Sequence, residues 1–176
     1  MKKAFVLTVL LSSGAFGLWA ADGPMLKCHD GTADGKRSLR GSGEILLFEA
    51  PAGDWMLKGI RIHGSRYGLL KAPEEDFYVF VMDAEAKDVL HTTTAPYAKF
   101  ERGEAKWVEV KFKKPTEVPT RFAVVLDFKA HQTKGVYVSF DTSTGGKHSR
   151  TGLPGAAPSQ VDFGGDWMIE ALMEKR

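Results

Sequence analysis

Along most of this chain apolar and polar residues alternate with a period of two, and outside the first 20 residues no helical period is sustained. At 107–112, Val108, Val110 and Phe112 share one parity while Trp107, Glu109 and Lys111 take the other, the mark of a half-buried strand. The same alternation sets Phe122, Val124, Leu126 and Phe128 against Ala123, Val125 and Asp127, and Val136, Val138 and Phe140 against Tyr137 and Ser139. Residues 76–82 are nearly unbroken Phe, Tyr and Val, which predicts a strand covered on both faces. With 45–49, 55–62, 89–93 and 167–173 this makes about eight short strands between Gly and Pro turns, the pattern of an all-β, antiparallel β-sandwich of jelly-roll type. Pro115 and Pro119 exclude 113–120 from the middle of a sheet.

One strand breaks its own rhythm. Trp55 and Leu57 share a parity, Ile60 and Ile62 share the other, and Gly59 stands where the phase changes. A glycine at a phase change predicts a β-bulge, which re-aims side chains. Ile60 and Ile62 then join Trp55 and Leu57 in the core, and Arg61 and His63 point away from it. Residues 64–68 read as the turn that leaves this strand, and 95–104 as a partly packed connection.

Residues 1–20 change the picture of the ends and the charge. Lys2 and Lys3 precede an apolar run from Ala4 to Ala20, which predicts a secretory signal peptide cleaved after Ala20. The run is short for a spanning helix and no second one follows, so no stable membrane insertion is expected after cleavage and the product is exported, periplasmic or extracellular. Loss of two lysines leaves 22 basic against 22 acidic residues, which supplies no long-range attraction to nucleic acid. Cys28 is the only cysteine, so no internal disulfide forms and the core must stabilise the fold. The expected organisation is a signal peptide (1–20), an irregular N-terminal segment (21–43) and a single sandwich domain (44–176). A long loop-like stretch, 141–160, holds room for one short strand; loops of that length are frequently functional.

Gly53, Asp54, Trp55, Met56, Leu57 recur as Gly165, Asp166, Trp167, Met168, Ile169. Each copy leads from a turn into a strand, with the aspartate expected to bond the turn backbone and the tryptophan to cover the core edge. The first and last long strands of a sandwich are commonly neighbours, which places Trp55 near Trp167. His29, Asp30, Gly31 with 41–48, Trp55, Leu57 and Ile60, together with Asp141, Thr142, Ser143, Ser149, Gly152, Pro154 and 165–170, resemble the opening and ending of jelly-roll (galactose-binding-like) accessory domains of secreted bacterial proteins. The resemblance implies a sandwich that binds glycans or proteins, or that acts as a spacer.

Chemistry-bearing residues are sparse. His29, His63, His91, His131 and His148 show no zinc-ligand spacing, and no metal or other cofactor is expected. Asp30, Thr32, Asp34 and Gly35 mimic the start of a calcium loop, but Gly41 stands where the closing carboxylate belongs; a plain turn is the expectation. Gly64, Ser65 and Gly68 resemble a nucleophile elbow without the helix that an elbow requires. Acids at 74–76 and at 83 and 85 read as solvated turns rather than a catalytic pair. No catalytic residue is assigned. Arg61, His63, Arg66, Tyr67 and Trp107 are the expected ligand-binding rim, since aromatic faces stack on sugars and arginine forks grip hydroxyls or carboxylates. Against this stand three structural roles: Tyr67 as a loop anchor, Arg66 paired with Glu74 or Asp76, and Trp107 packed under 95–104. The expected function is a non-enzymatic exported module that binds a glycan or an envelope protein. The alternative is a structural or protein-interaction domain, with a hydrolase as a minor third reading.

Overall fold

The computed structural model describes residues 23–176, so the expected signal peptide and its cleavage site lie outside the described residues. Thirteen strands follow in chain order: β1 (Met25–Lys27), β2 (Gly35–Arg37), β3 (Glu44–Glu49), β4 (Trp55–Gly68), β5 (Asp76–Asp83), β6 (Val89–Pro96), β7 (Lys106–Glu117), β8 (Arg121–Asp127), β9 (Lys134–Asp141), β10 (Ser149–Thr151), β11 (Ser159–Gln160), β12 (Asp166–Trp167) and β13 (Ile169–Lys175). A single 3₁₀ turn, Tyr97–Lys99, follows β6. Eight of these strands have six residues or more, which matches the number of apolar-polar runs; the others are short additions.

The strands form an all-β sandwich of two antiparallel sheets. One has the order β1-β13-β4-β9-β12, with β2 on β9 and β7 on β4; the other has the order β11-β10-β3-β8-β5-β6. The predicted parities hold. Leu57, Ile60 and Ile62, Val108, Val110 and Phe112, Phe122, Val124, Leu126 and Phe128, and Val136 and Val138 all meet in the core between the sheets. The opposite parity of β8, Ala123 and Val125, forms a smaller apolar cluster with Ile45, Met82 and Ala86. That cluster explains why 76–82 is apolar on both parities: Phe77, Val79 and Val81 fill the main core, while Phe80 and Met82 face the second. Pro115 lies within β7, which among the described residues pairs only with β4 and so lacks no ladder bond on its free side.

The bulge expected at Gly59 is present. The β4–β7 register shifts between Leu57 and Gly59, and the β13–β4 register shifts between Leu172 and Met173. A methyl group on Gly59 would stand 2.7 Å from the Val110 carbonyl oxygen, so the close strand approach requires glycine.

Three expectations are corrected. Residues 64–68 are not a turn: β4 continues to Gly68 by changing partner, pairing with β13 over 55–62 and with β9 over 64–68. At the fork, the His63 amide donates to the Met168 carbonyl (3.0 Å) and the Met168 amide to the Ser139 carbonyl (2.8 Å). The neighbouring strand thus replaces what the local sequence lacks. Second, β4 and β13 are neighbours, but Trp55 and Trp167 are not. Lys175 faces Trp55, whereas Trp167 lies beyond the far end of the ladder, past the Ile169–Ile62 pair. Antiparallel strands that each begin at the tag necessarily carry their beginnings at opposite ends. Third, the stretch 141–160 contains two strands rather than one: β10 extends the six-stranded sheet beside β3, and β11 follows it.

Candidate functional site

The partner exchange of β4 creates one polar face. With Ile60 and Ile62 turned into the core, Arg61, His63, Ser65 and Tyr67 line the outer face of the seven-stranded sheet. Cross-strand register then sets Glu170 beside Arg61, Lys27 beside Glu170, and Trp107 beside His63.

Trp107 is the centre of this arrangement. The Arg61 guanidinium lies 4.8 Å from the indole centroid, and the His63 and His29 rings lie at 5.1 and 5.4 Å. Arg61 Nη1 donates to Glu170 Oε2 at 2.8 Å and approaches Met25 Sδ at 3.8 Å. His63 Nδ1 and Ser139 Oγ are 2.9 Å apart. His29 Nε2 stands 3.5 Å from Glu170 Oε1, but neither ring nitrogen of this buried histidine completes a hydrogen bond.

Burial shapes the charges here. It pushes the Glu170 carboxyl upward, and Arg61 and Lys27 offset part of that push. Burial lowers His63. It also lowers His29, aided by Lys27 and His63 and opposed by Asp141 and Asp30. Both imidazoles therefore favour the neutral form, and Arg61 and Lys27 supply the positive charge beside Glu170. Asp141 behaves differently: burial alone would raise it, but hydrogen bonds from Ser143 and Asp30 outweigh burial and hold it at about 2.

Beside the cluster, next to the bulge at Gly59, lies a trough of about 530 Å³, with Met25, Lys58, Glu109, Lys111, Leu172 and Glu174 among its walls. The volume lies within the range of small-molecule sites. Met25 and Glu109 join the two parts: Met25 touches Arg61, and Glu109 faces it across the β4–β7 ladder.

Of the five sequence-predicted residues, the structure brings Arg61, His63 and Trp107 together and sets Arg66 and Tyr67 apart. Arg66 donates to the carbonyl oxygens of Leu69 and Leu70, both at 2.6 Å, and so ties the turn after β4 rather than pairing with Glu74 or Asp76. Tyr67 lies over Gly135, where a methyl group would overlap its ring. Its hydroxyl donates to the His131 carbonyl at 2.9 Å, and its ring packs on Tyr137 at 4.7 Å. It is an anchor of the 131–134 turn. Trp107 packs against Arg61 and the two histidines.

His29, Glu170, Met25 and Ser139 stood outside the binding rim expected from the sequence. Glu170 left a trace, a single charge within the otherwise apolar run Trp167–Met173. His29 left none, because its position depends on β1 crossing to the far edge of the sheet.

The arrangement lacks an accessible nucleophile. Ser139, which holds His63, is 1% exposed, and Ser65 instead receives the Lys36 ammonium at 3.4 Å. Among the described residues no group of three or more His, Cys, Asp or Glu is placed to hold a metal ion. One oxygen of Asp30 accepts from the nearby Thr32 amide, whereas one of Asp34 accepts from the amide and hydroxyl of Thr142, 108 residues away, and so ties this segment to the end of β9. The Cys28 thiol is pushed up to about 12 by burial and by the charge of Asp166, which keeps it protonated and unreactive.

No protein-family model and no curated protein matches the chain. Among solved structures, it is similar to the cysteine protease and lectin-like domains of Cwp84, a surface layer associated protein of Clostridium difficile, with 11% sequence identity and a TM-score of 0.45. The alignment covers 82% of this chain and 37% of that one, so the chain spans little more than a third of that structure's length. No helix among the described residues is long and apolar enough to cross a membrane.

Proposed function

We propose that the chain is an exported, non-enzymatic sandwich of the jelly-roll accessory type. It binds a carbohydrate or another cell-envelope component at a shallow site on the outer face of the seven-stranded sheet. The observation that carries this reading is the Arg61–Trp107 pair: a guanidinium fixed by Glu170 over an indole, next to a trough of about 530 Å³. An indole face accepts the apolar face of a sugar ring, and a guanidinium held in place donates to hydroxyl or carboxylate groups at little entropic cost. His63 and Met25 border the same pair, while Arg66 and Tyr67 support the strand that presents it.

A glycan array and a polysaccharide pull-down test the proposal. Trp107→Ala and Arg61→Ala are expected to remove binding, and Tyr67→Phe to retain it. Absence of binding to any glycan, or affinity unchanged in Trp107→Ala, overturns the proposed site. A second reading, a protein-interaction module, is favoured by Leu69 and Leu70, which are 57% and 83% exposed at the tip of the turn after β4. If Leu70→Ser abolishes capture of an envelope partner while Trp107→Ala does not, that reading replaces the first.

A further inference from the structure

The sheet edges differ in their protection. Among the described residues, β1 and β2 are three residues long and β11 is two. The twelve-residue β7 carries Lys106, Glu109, Lys111, Lys113, Lys114 and Pro115. Short length, charge and proline are the devices that keep a free edge from pairing with another chain. β6 has none of these three before its last residue, and its one irregularity is the bulge at Leu90, where the register with β5 shifts and beyond which His91 to Pro96 run regularly. It runs eight residues, VLHTTTAP, with no acid, lysine or arginine; it pairs with β5 on one side and, among the described residues, with no strand on the other. Val89 and Leu90 at its start are 45% and 42% exposed.

Next to this edge lies the seam between the sheets, bridged where His91 stacks on Phe112 at 5.0 Å. One cleft of about 400 Å³ has Thr94, Pro96, Lys99 and Lys111 in its walls; another of about 470 Å³ has Leu90, Lys114 and Glu117. The acids are engaged: Glu117 by Arg176 at 3.1 Å and Glu109 by Lys111 at 3.6 Å. Lys99 and Lys114 have no ion-pair partner among the described residues. Each cleft therefore keeps one lysine without an ion pair, Lys99 in the first and Lys114 in the second, and two copies of this edge brought together would set lysine against lysine.

We infer that the β6 edge is a docking site for an extended, acidic peptide segment of a partner protein. The segment adds as a further strand to the six-stranded sheet and lays carboxylates against Lys99 and Lys114. In such strand addition the main-chain ladder supplies affinity and alternate side chains supply selectivity. This site lies at the β6–β7 seam, apart from Arg61 and Trp107, and stands independently of glycan binding.

Selection of displayed random peptides against the exported chain, followed by fluorescence anisotropy and amide hydrogen exchange, tests the inference. The expected winners are proline-poor, alternate β-branched residues with Asp or Glu, and slow amide exchange within 89–96. Their affinity falls about tenfold in Lys99→Glu/Lys114→Glu and weakens with added salt. Both substituted lysines are exposed, so the variant keeps the fold; an unchanged exchange pattern in the free protein verifies this. Failure to enrich any peptide, winners that are neutral or basic, or protection confined to another strand overturns the inference. So does sedimentation of the free chain as a dimer that Thr92→Lys, on the β6 edge, dissociates.

Discussion

The two copies of the tag, 53–57 and 165–169, share four of five residues and end in different places. Asp54 is exposed and Trp55 half-buried at the rim, its ring 5.9 Å from the Lys175 ammonium. Asp166 and Trp167 are fully buried. Asp166 accepts from the amides of His148 (2.9 Å) and Ser149 (2.6 Å) and from the Thr144 hydroxyl. Trp167 packs on Phe163 at 4.6 Å and donates from Nε1 to the Arg150 carbonyl at 3.2 Å. The same side chains are a surface cap in one setting and a structural joint in the other. What separates them is the 142–163 stretch, which folds over the second copy and has no counterpart at the first.

The comparison breaks if the copies respond alike to substitution. The largest effect is expected for Trp167→Ala, at about 3–5 kcal/mol of stability, because a large ring leaves a void in the core. Trp55→Ala should cost about 1 kcal/mol. Urea denaturation of both variants measures the difference, and equal losses would make the burial contrast irrelevant. Next, Asp166→Ala strands the buried Ser149 amide and the part-buried His148 amide and should cost about 2–4 kcal/mol, against less than about 0.5 kcal/mol for exposed Asp54→Ala.

Another buried acid sharpens the role of donors. Glu44 is as buried as Asp166, but neither of its carboxylate oxygens has a hydrogen-bond partner among the described residues. Burial raises it to about 8; the nearby amides of Glu44 itself and Leu39 offset little of the burial, and Asp127 adds to it. The folded state therefore holds this proton more tightly than the unfolded chain does. Its contribution is fully present below the ordinary value of 4.5 and is lost as pH rises through about 8. The thermal midpoint should fall across that window, and Glu44→Gln, which cannot ionise, should flatten the fall. A wild-type profile that is level from pH 5 to pH 8 would contradict it. Lys175→Ala should likewise cost only about 0.5 kcal/mol, for an exposed cation–π contact; a loss as large as that of Trp167→Ala would mean that the rim copy is also a joint.

Much of the fold was legible because alternation is a local property: each residue of Val108, Val110 and Phe112, or of Phe122 through Phe128, declares its face by parity alone. Gly59 was legible for the same reason, as an interruption of parity. The site was half legible. Arg61, His63 and Trp107 stood on polar parities and met as neighbours across a ladder. Arg66 and Tyr67 looked equivalent to them, but the turns at 69–70 and 131–134 claimed their polar atoms. His29 and Glu170 became neighbours of Trp107 only through β1 and β13, 141 residues apart between His29 and Glu170 in sequence, and no local pattern encodes such a pairing.

The sequence by itself determined that this chain is an all-β sandwich, which residues turn inward, and where β4 bulges, since period, side-chain volume and glycine act within a few residues. The tertiary structure decided which strand each edge meets, which copy of the tag is buried, and which polar residues retain free atoms. Those outcomes depend on register between strands distant in sequence, where the hydrogen-bond ladder and the fork at Met168 choose the partners.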